Sequence, residues 1–350
     1  METVRLTQLS KASGCGCKIA PAVLQEILKS DFDFVCKELL VGNKTNDDAA
    51  VYDLGNNQCL ISTTDFFMPV VDSAFDFGKV AATNAISDVY AMGGKPIMAI
   101  AILGWPTEKL GTAGAKKVLE GAREICAKAG IPLAGGHSIE STEPIFGLSV
   151  NGLVERKNLK QNNSLNEGDS IYLTKSLGTG IYSTALKRGA LKEEDYSVLL
   201  NSMTELNSLG FELGQLPYVS AMTDVTGFGF LGHLLEMIGD KNVTATIEKS
   251  KIKTFSNLNS YTAQFIFPDN TTRNFNAYEK ESSGMKDLEF MTYCDPQTSG
   301  GLLFTVNSSN ENEFEKWLKE TCPSGTLENY SAIKVGSVSK RKEKKVEFVD

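Results

Sequence analysis

Residues 14–18, near the start of the chain, hold its densest nucleophilic chemistry. They are Gly-Cys-Gly-Cys-Lys, so Cys15, Cys17 and Lys18 lie within four positions. A cation beside a thiol favours the thiolate, which is the reactive form. The flanking glycines leave the backbone free to move. The pattern indicates a reactive thiol on a mobile arm, which we place over residues 1–18.

The other cysteines are scattered and show no second close pair. A structural zinc site usually needs two closely spaced pairs, so residues 15–17 alone make a poor one. The odd total of seven, with no apolar secretion signal at the start, argues against a disulfide framework and for a reducing compartment. We expect five of them to be small core residues: Cys36, Cys59, Cys126, Cys294 and Cys322.

Composition narrows the class of protein. The chain has 350 residues, 41% of them hydrophobic, and a formal net charge of −8. The longest apolar run, residues 96–105, is about half of the ~20 residues that a membrane helix requires. The acidic balance gives no general attraction for nucleic acid. We expect a cytoplasmic protein with no membrane or nucleic-acid partner, in which local cations or metal ions hold any anionic substrate.

Four aspartates could bind a hard cation. Asp48, Asp65, Asp88 and Asp224 each lie beside small or hydroxyl residues at predicted element ends. Mg²⁺ takes oxygen ligands and bridges to phosphate. Like charges ~4 Å apart repel by about 4 kcal/mol at an effective dielectric constant of 20, so carboxylates beside a triphosphate need metal between them. Together the four aspartates indicate a magnesium site, although each alone has the features of a cap or a solvated carboxylate.

Hydrophobic periodicity predicts two α/β units. The first has the order ββαβαββ, typical of one α+β layer domain. Polar, asparagine-rich residues 158–168 are the best linker candidate. We therefore predict a mobile arm over 1–18, a nucleotide- and metal-binding domain over 19–157 and a second α/β domain over 169–350. One expected helix begins at Pro21, and the others cover 75–92, 107–129, about 180–214 and 228–239. The expected strands cover 49–53, 59–64, 97–103, 131–134, 145–153, 171–173, 243–247, 302–306 and 333–338.

Two glycine-rich segments partly match known phosphate-binding loops. Residues 93–95 are Gly-Gly-Lys, but Pro96 follows where a Walker A loop has Ser or Thr. Residues 227–232 match the dinucleotide fingerprint, yet residues 223–226 separate them from any apolar strand, deep in the second unit. We therefore reject a Rossmann domain.

The chain has two histidines. His137 lies in residues 134–138, Ala-Gly-Gly-His-Ser, which we expect to be a glycine-rich turn after a strand. Exposed N–H groups in such a turn can hold phosphate or ribose. His233 has leucines at helical spacing around it, and we expect it to be a structural helix residue.

From about residue 5 to the C-terminus, the chain resembles the selenophosphate synthetase (selenide, water dikinase) family. Seven segments, in unbroken order, carry the resemblance. That family belongs to the aminoimidazole ribonucleotide synthetase superfamily. The aspartate and Gly-His-Ser patterns are shared with the superfamily, whereas the Cys-Gly-Cys-Lys arm is particular to the selenium enzymes. The segments are residues 14–19, 47–51, 62–67, 82–94, 135–138, 221–229 and 294–301.

The resemblance implies the fold, the reaction and the residue roles. The fold is a two-domain aminoimidazole ribonucleotide synthetase-like α/β fold, and the protein is a homodimer with the nucleotide near the dimer interface. ATP, selenide and water give selenophosphate (the selenium donor for selenocysteine and selenouridine synthesis), AMP and phosphate, with Mg²⁺ as cofactor. Cys15 is the active-site residue, which other members replace with selenocysteine, and Lys18 is the catalytic lysine. The metal ligands are Asp48, Asp88 and Asp224, and the nucleotide-binding residues are Lys18, Thr45, Asn46, Asp47, Asp65, Asp88, Gly136, His137 and Ser138.

One segment departs from the family pattern. Residues 268–274 are Pro-Asp-Asn-Thr-Thr-Arg-Asn, where family members often have Pro-Gly-Gly-Thr before Arg-Asn. Because Asp and Asn tolerate the left-handed conformation, we expect the turn to survive.

Two other functions stay open at this stage. One is a relative that uses ATP to phosphorylate an amide or an alcohol, which leaves the Cys-Gly-Cys-Lys arm unexplained. The other is a selenium or thiol carrier that binds nucleotide without turning it over. The role of Cys17, the number of metal ions and the source of selenium, including any selenium-delivery protein, also stay open.

Overall fold

The structure is a computed structural model that describes residues 5–9, 23, 26, 27, 29, 35–42, 47–321 and 332–350. Several predicted functional residues lie outside the described residues: Cys15, Cys17, Lys18, Thr45 and Asn46. Cys322 and most of the helix expected after Pro21 also lie outside them.

The first half of the chain forms a sheet with two helices packed on one face. Its elements are β1 (Leu39–Val41), β2 (Ala50–Gly55), β3 (Gln58–Phe67), α1 (Ala74–Ala91), β4 (Lys95–Trp105), α2 (Thr107–Lys128), β5 (Leu133–Glu140) and β6 (Ile145–Glu155). The six strands lie in the order β1-β2-β3-β6-β4-β5, and only β4 and β5 are parallel neighbours. This arrangement makes β5 the edge strand at the end of the sheet opposite β1.

Helix α1 is the centre of the first unit. Ser73 caps it by accepting a hydrogen bond from Asp76 N at 3.3 Å. The helix is almost completely buried because the sheet, α2 and elements of the second half all pack against it. The two helices approach so closely that a Cβ at Gly78 would lie 1.9 Å from Val118 O. This packing fixes the backbone of α1, which carries the buried polar residues Thr83, Asn84, Ser87 and Asp88.

The second half forms a larger sheet. Its elements are β7 (Asp169–Leu173), α3 (Thr179–Lys187), α4 (Glu193–Thr204), α5 (Leu209–Gly214), β8 (Val219–Asp224), α6 (Gly229–Ile238), β9 (Val243–Glu248), α7 (Leu258–Thr262), α8 (Asp269–Tyr278), β10 (Ser282–Ser283), α9 (Phe290–Tyr293), β11 (Leu302–Asn307), α10 (Glu311–Thr321), β12 (Ile333–Lys340) and β13 (Val346–Val349). The seven strands lie in the order β10-β13-β9-β12-β7-β11-β8, so β8 is an edge strand. The predicted class, two α/β units of layered sheets and helices, is confirmed.

Two sequence-based expectations about glycine-rich segments are wrong. Residues 135–138 are not a turn after a strand but part of β5, paired in parallel with β4. Strand β8 does precede the glycines at 227–232, contrary to expectation. The rejection of a Rossmann domain still holds, because β8 pairs antiparallel with β11 and no described strand is its parallel neighbour.

The segment that departs from the family pattern is helical. Residues 269–278 form α8, and neither Asp269 nor Asn270 has a positive φ. The expected left-handed turn is therefore wrong. Instead, the buried side chains of Asn270 and Asn274 both donate to Gly227 O, at 3.1 and 3.0 Å. These bonds hold the turn that follows β8.

The connection between the two sheets is packed rather than loose. Asn158, Lys160 and Asn162 are buried. Lys160 Nζ donates to Leu216 O at 2.8 Å and to Val219 O at 2.9 Å, and burial lowers its pKa to about 8. These contacts tie the segment after β6 to the strand that carries Asp224.

Residues 5–9, the described part of the predicted arm, are anchored. Leu6–Leu9 form a 3₁₀ helix in which Leu6 is buried. Thr7 Oγ1 donates to Asp72 Oδ1 at 2.5 Å, and Arg5 Nη2 donates to Leu186 O at 2.6 Å. The mobility expected over residues 1–18 therefore does not extend to this segment.

In the part of the chain that the structure describes, no helix is both long and apolar enough to cross a membrane.

Candidate metal and nucleotide site

Three of the predicted carboxylates converge between the two sheets. Asp48 lies just before β2, Asp88 lies in the last turn of α1 and Asp224 ends β8. One oxygen atom from each lies within 4.8 Å of the other two. Asp224 is 1% exposed and Asp88 is 9% exposed. The site thus requires both halves of the chain.

A hydroxyl group donates to each carboxylate and fixes its orientation. In two of the three bonds, the hydroxyl and the carboxylate belong to different halves of the chain. The bonds are Thr63 Oγ1 to Asp88 Oδ2 at 2.5 Å, Ser87 Oγ to Asp224 Oδ2 at 2.5 Å and Thr223 Oγ1 to Asp48 Oδ1 at 2.8 Å.

The electrostatics of the cluster fit a divalent cation. Burial, and then the negative charges of Asp224 and Asp88, raise the pKa of Asp48 well above its ordinary value, although the bond from Thr223 opposes the shift. Asp48 Oδ2 is buried, and no described residue donates a hydrogen bond to it. An all-oxygen donor set with concentrated negative charge and an orphaned buried oxygen suits Mg²⁺.

Asp65 and Asp47 lie near this cluster. Asp65 is in β3, two residues after Thr63, and accepts a hydrogen bond from Asn84 Nδ2 of α1. Asp47 precedes Asp48 and accepts from Asn162 N at 2.9 Å. Of the residues expected to bind nucleotide, these two and Asp88 therefore lie on the side of the first sheet that carries the carboxylates.

Three further predicted nucleotide residues lie at the far edge of the first sheet. Gly136, His137 and Ser138 are exposed on edge strand β5. Gly136 pairs with Ala101 of β4, and Ala101 pairs on its other side with Leu148 of β6. Leu148 pairs in turn with Asp65 of β3, so Gly136 and Asp65 lie in one row across the sheet. Three strand spacings separate them by about 14 Å. Within one chain, Gly136 and Asp65 therefore do not meet at a single point.

Buried residues fill the row between Asp65 and Gly136. Leu148 is fully buried and Ala101 is 6% exposed, because α1 and α2 cover this face of the sheet. A small molecule cannot lie along that row within one chain. A cavity of about 390 Å³ opens at the β5 end, lined by Ala101, Leu103, Leu119, Arg123 and residues 133–138.

Sequence reasoning missed the hydroxyl and amide groups that hold the carboxylates. A usable signal was present, since the pairs Ser87-Asp88 and Thr223-Asp224 each place a hydroxyl residue directly before an aspartate. In the structure, the hydroxyl of each pair donates to a carboxylate outside its own pair. Asn84 and Asn207 gave no local signal.

Cysteine and histidine positions mostly follow expectation. Cys59, Cys126 and Cys294 are buried, as predicted. Cys36 differs, since it is partly exposed and its Sγ donates to a glutamate at 3.4 Å. His233 is a buried residue of α6, as predicted, with Nε2 3.2 Å from Thr226 Oγ1 and Nδ1 3.0 Å from Glu236 Oε2.

Comparisons with known proteins identify the class. Residues 46–154 match the family model "AIR synthase related protein, N-terminal domain", and residues 166–347 match the corresponding C-terminal domain model. The crystal structure of thiamine monophosphate kinase from Aquifex aeolicus has a TM-score of 0.65 at 17% identity, over 93% of this chain and 94% of that one. The fold, with carboxylates gathered between its two halves, is that of the AIR synthase related proteins.

Closer relatives define the family. The chain is 54% identical to selenide, water dikinase from Photorhabdus laumondii over 304 residues, which is 87% of this chain and 88% of that protein. It is 52% identical to selenide, water dikinase from Colwellia psychrerythraea over 321 residues, or 91% and 93% of the two chains. The chain belongs to the selenide, water dikinase family.

Proposed function

We propose that this protein makes selenophosphate from selenide, ATP and water and releases AMP and phosphate. The observation that carries the proposal is the cluster of Asp48, Asp88 and Asp224 in a chain of this family. Opening both phosphoanhydride bonds of ATP develops negative charge at several phosphate oxygens. A site that concentrates divalent cations between two domains suits that task.

Asp48, Asp88 and Asp224 would hold Mg²⁺. Bound Mg²⁺ neutralises charge on the phosphates and on the transferring phosphoryl group. The hydroxyl groups of Thr63, Thr223 and Ser87 keep the carboxylate oxygens in place, so that little reorganisation is needed when the ions bind. Asp47 and Asp65, together with Thr45 and Asn46, would contact the nucleotide.

The arm would supply the selenium chemistry. We assign Cys15 as the residue that handles selenium and Lys18 as the cation that screens the triphosphate. A selenide anion is repelled by phosphate, so a compact ammonium between them lowers the barrier to approach. Neither residue is among those that the structure describes, and the assignment rests on the family resemblance.

We also propose that the functional unit is a homodimer in which the second copy supplies Gly136, His137 and Ser138. An exposed edge strand presents unpaired backbone groups that favour pairing with another chain. Beside it, Ile139 of β5 is 60% exposed, and the face of the sheet opposite the helices exposes further large apolar side chains. These are Tyr52, Leu54, Phe66, Ile97, Met98 and Ile100.

The reactive thiol and the selenide substrate also bear on the compartment and on the source of selenium. A reactive thiol on an arm persists where thiols stay reduced, and we propose that the enzyme works in the cytoplasm. Selenide at low concentration would favour a delivery protein as a further partner.

Product analysis tests the reaction. Purified protein is incubated with ATP, Mg²⁺ and selenide, and the products are followed by phosphorus NMR. The proposal expects selenophosphate, phosphate and AMP in equal amounts. Formation of ADP would instead indicate an ordinary kinase, and persistent ATP with bound nucleotide would indicate a carrier; either result contradicts the proposal.

Mixing two inactive variants tests the shared site. Asp48→Asn and His137→Ala damage different chains of the same composite site, so a mixed dimer contains one intact site. After subunit exchange we expect about a quarter of the parental activity, because half of the random dimers are mixed. No recovery, although native mass spectrometry shows mixed dimers, would mean that one chain supplies all these residues.

A further inference from the structure

The turn at residues 299–301 lies between the two halves of the molecule. Ser299 adopts φ of +51°, which is unusual for a residue with a side chain. A Cβ at Gly300 would lie 2.0 Å from Val225 O, and one at Gly301 would lie 2.4 Å from Lys175 N. The turn is therefore pressed directly against the residue that follows Asp224.

Several hydrogen bonds hold the turn in that position. Gly301 O accepts from Val225 N at 2.8 Å. Ser299 O accepts at 3.0 Å from Lys175 Nζ, which also donates to two carbonyls at the end of α4. On its other side, Ser299 Oγ donates to Val80 O of α1 at 3.3 Å. The turn thus connects α1 to the strands of the second sheet.

One chain of hydrogen bonds leads from this turn to the metal cluster. Asn207 Nδ2 donates to Gly300 O at 2.8 Å and to Ser87 Oγ at 2.7 Å. Ser87 Oγ in turn donates to Asp224 Oδ2 at 2.5 Å. Asn207 and Ser87 are each 1% exposed, so no bulk water competes for these bonds.

A second chain leads to Asp65. Ser299 N donates to Asn84 Oδ1 at 2.8 Å, and Asn84 Nδ2 donates to Asp65 Oδ2. Asn84 lies one helical turn before Ser87 on α1, so both side chains face the turn. Two carboxylates of the candidate site are therefore oriented from one backbone turn.

We propose that Asn207 and Asn84, fixed by the turn at 299–301, are positioning residues that orient Asp224 towards the metal and Asp65 towards the nucleotide. The proposal rests on the function proposed above. Asn207 acts on Asp224 through the Ser87 hydroxyl, and Asn84 donates directly to Asp65, which flanks the cluster. The turn at 299–301, part of the family-like segment 294–301, would thus fix both asparagines.

The direction of each bond explains why an amide is needed at 207. The Ser87 hydroxyl has one hydrogen to donate. While Asn207 donates to Ser87 Oγ, that hydrogen is free to point at Asp224, and bonds in such a chain strengthen one another. A carboxylate at position 207 would accept the Ser87 hydrogen and leave Asp224 without it.

Metal binding provides the decisive measurement. Mn²⁺ is titrated into the nucleotide-free protein and followed by electron paramagnetic resonance, which needs no turnover. We expect Asn207→Asp and Ser87→Ala each to weaken Mn²⁺ binding about tenfold, because both remove the hydrogen bond from Ser87 to Asp224. Asn207→Leu should weaken it several-fold, because Ser87 loses its anchor but keeps its hydrogen, and adding Asn207→Leu to Ser87→Ala should cause no further loss.

A buried asparagine elsewhere gives the matched control. Asn158 Nδ2 donates to Gln215 Oε1 at 2.7 Å, away from the carboxylate cluster. Asn158→Leu should lower the melting temperature as Asn207→Leu does but leave Mn²⁺ affinity at the parental value. Equal Mn²⁺ affinity in both leucine variants would overturn the proposal for Asn207.

Nucleotide binding tests the proposed role of Asn84. Asn84→Leu should weaken binding of a non-hydrolysable ATP analogue about tenfold while Mn²⁺ affinity without nucleotide stays parental. Unchanged analogue affinity would overturn the proposal for Asn84. If the parent binds Mn²⁺ no better than a variant lacking all three carboxylates, the proposed metal site itself fails, which is distinguishable from both outcomes.

Discussion

Thr223 Oγ1 donates a 2.8 Å hydrogen bond to Asp48 Oδ1, across a separation of 175 residues. The donor is the second-to-last residue of an edge strand of the second sheet, and the acceptor precedes a strand of the first. The candidate metal site is therefore a property of the closed pair of domains. Anything that separates the two halves should remove metal affinity before it unfolds either sheet.

Removing one charge from the carboxylate cluster should lower activity but raise stability. Asp224→Asn should abolish turnover at limiting Mg²⁺ because a ligand is lost. It should also raise the free energy of unfolding in EDTA by about 1 to 3 kcal/mol, since it removes repulsion between carboxylates. Urea denaturation and activity assays check both effects, with exposed Asp240→Asn as the control. A variant with the parental rate at limiting Mg²⁺ would remove Asp224 from the site.

The buried carboxyl group of Asp295 should make the stability of the protein depend on pH. Burial raises its pKa to about 8, although Gln297, Ile181 N and Gly180 N donate to it and oppose the shift. The folded state thus binds more protons than the unfolded state between about pH 4 and pH 8. The contribution of this group is complete below about pH 4 and is lost as the pH rises through about 8.

Asp295→Asn should therefore flatten the pH profile. Relative to the variant, the parent should lose up to about 1.4 kcal/mol of unfolding free energy per pH unit across that window. Urea denaturation at intervals from pH 4 to 9, with Mg²⁺ constant, measures the difference. Parallel profiles for the two proteins would show that Asp295 is ionised throughout.

The limits of sequence-based prediction are visible in particular residues. Asp48, Asp88 and Asp224 were found because each lies in a recognisable local pattern, and α1 was found because its apolar residues recur at helical spacing. Asn207 and Asn84 were not found, because their partners lie 120 and 215 residues away along the chain. Residues 135–138 were mistaken for a turn because glycine usually marks one, whereas pairing with β4 overrides that propensity here.

A matched pair of glycines tests the geometry of β5. Gly135 and Gly136 have φ of 150° and 155°, which glycine tolerates best. A Cβ at Gly136 would lie 2.1 Å from Ala101 O, whereas one at Gly135 meets no described atom within 4 Å. We expect Gly135→Ala to cost about 1 to 3 kcal/mol from backbone strain alone. Gly136→Ala should cost clearly more, and equal unfolding free energies would contradict the pairing of β5 with β4.

Thiol reactivity should separate core cysteines from the arm. Burial raises the pKa of the Cys126 thiol to about 11 and that of Cys294 to about 12, and it also raises the pKa of Cys59. At pH 8 we expect iodoacetamide to leave these three unmodified in the native protein, while Cys15 reacts rapidly. Peptide mass spectrometry after timed labelling measures this. Labelling of Cys294 at the rate of Cys15 would show that the second domain opens.

The arm itself provides the sharpest test of the proposed chemistry. Side chains at i and i+2 of an extended segment point the same way, so Cys15 and Cys17 could both face the site. We expect Cys15→Ser to abolish selenophosphate formation and Cys17→Ser to retain most of it. Lys18→Arg keeps the charge but should lose activity, because a planar guanidinium cannot replace a compact ammonium.

Phosphorus NMR of the products, with selenide present, distinguishes the three variants under one set of conditions. Each variant should bind Mn²⁺ with parental affinity, since the carboxylates that would hold the metal lie on other segments. That control separates a lost nucleophile from a damaged site. If Cys15→Ser makes selenophosphate at the parental rate while Cys17→Ser does not, the reactive thiol is Cys17. If both variants match the parent, the thiols of the arm take no part in the reaction.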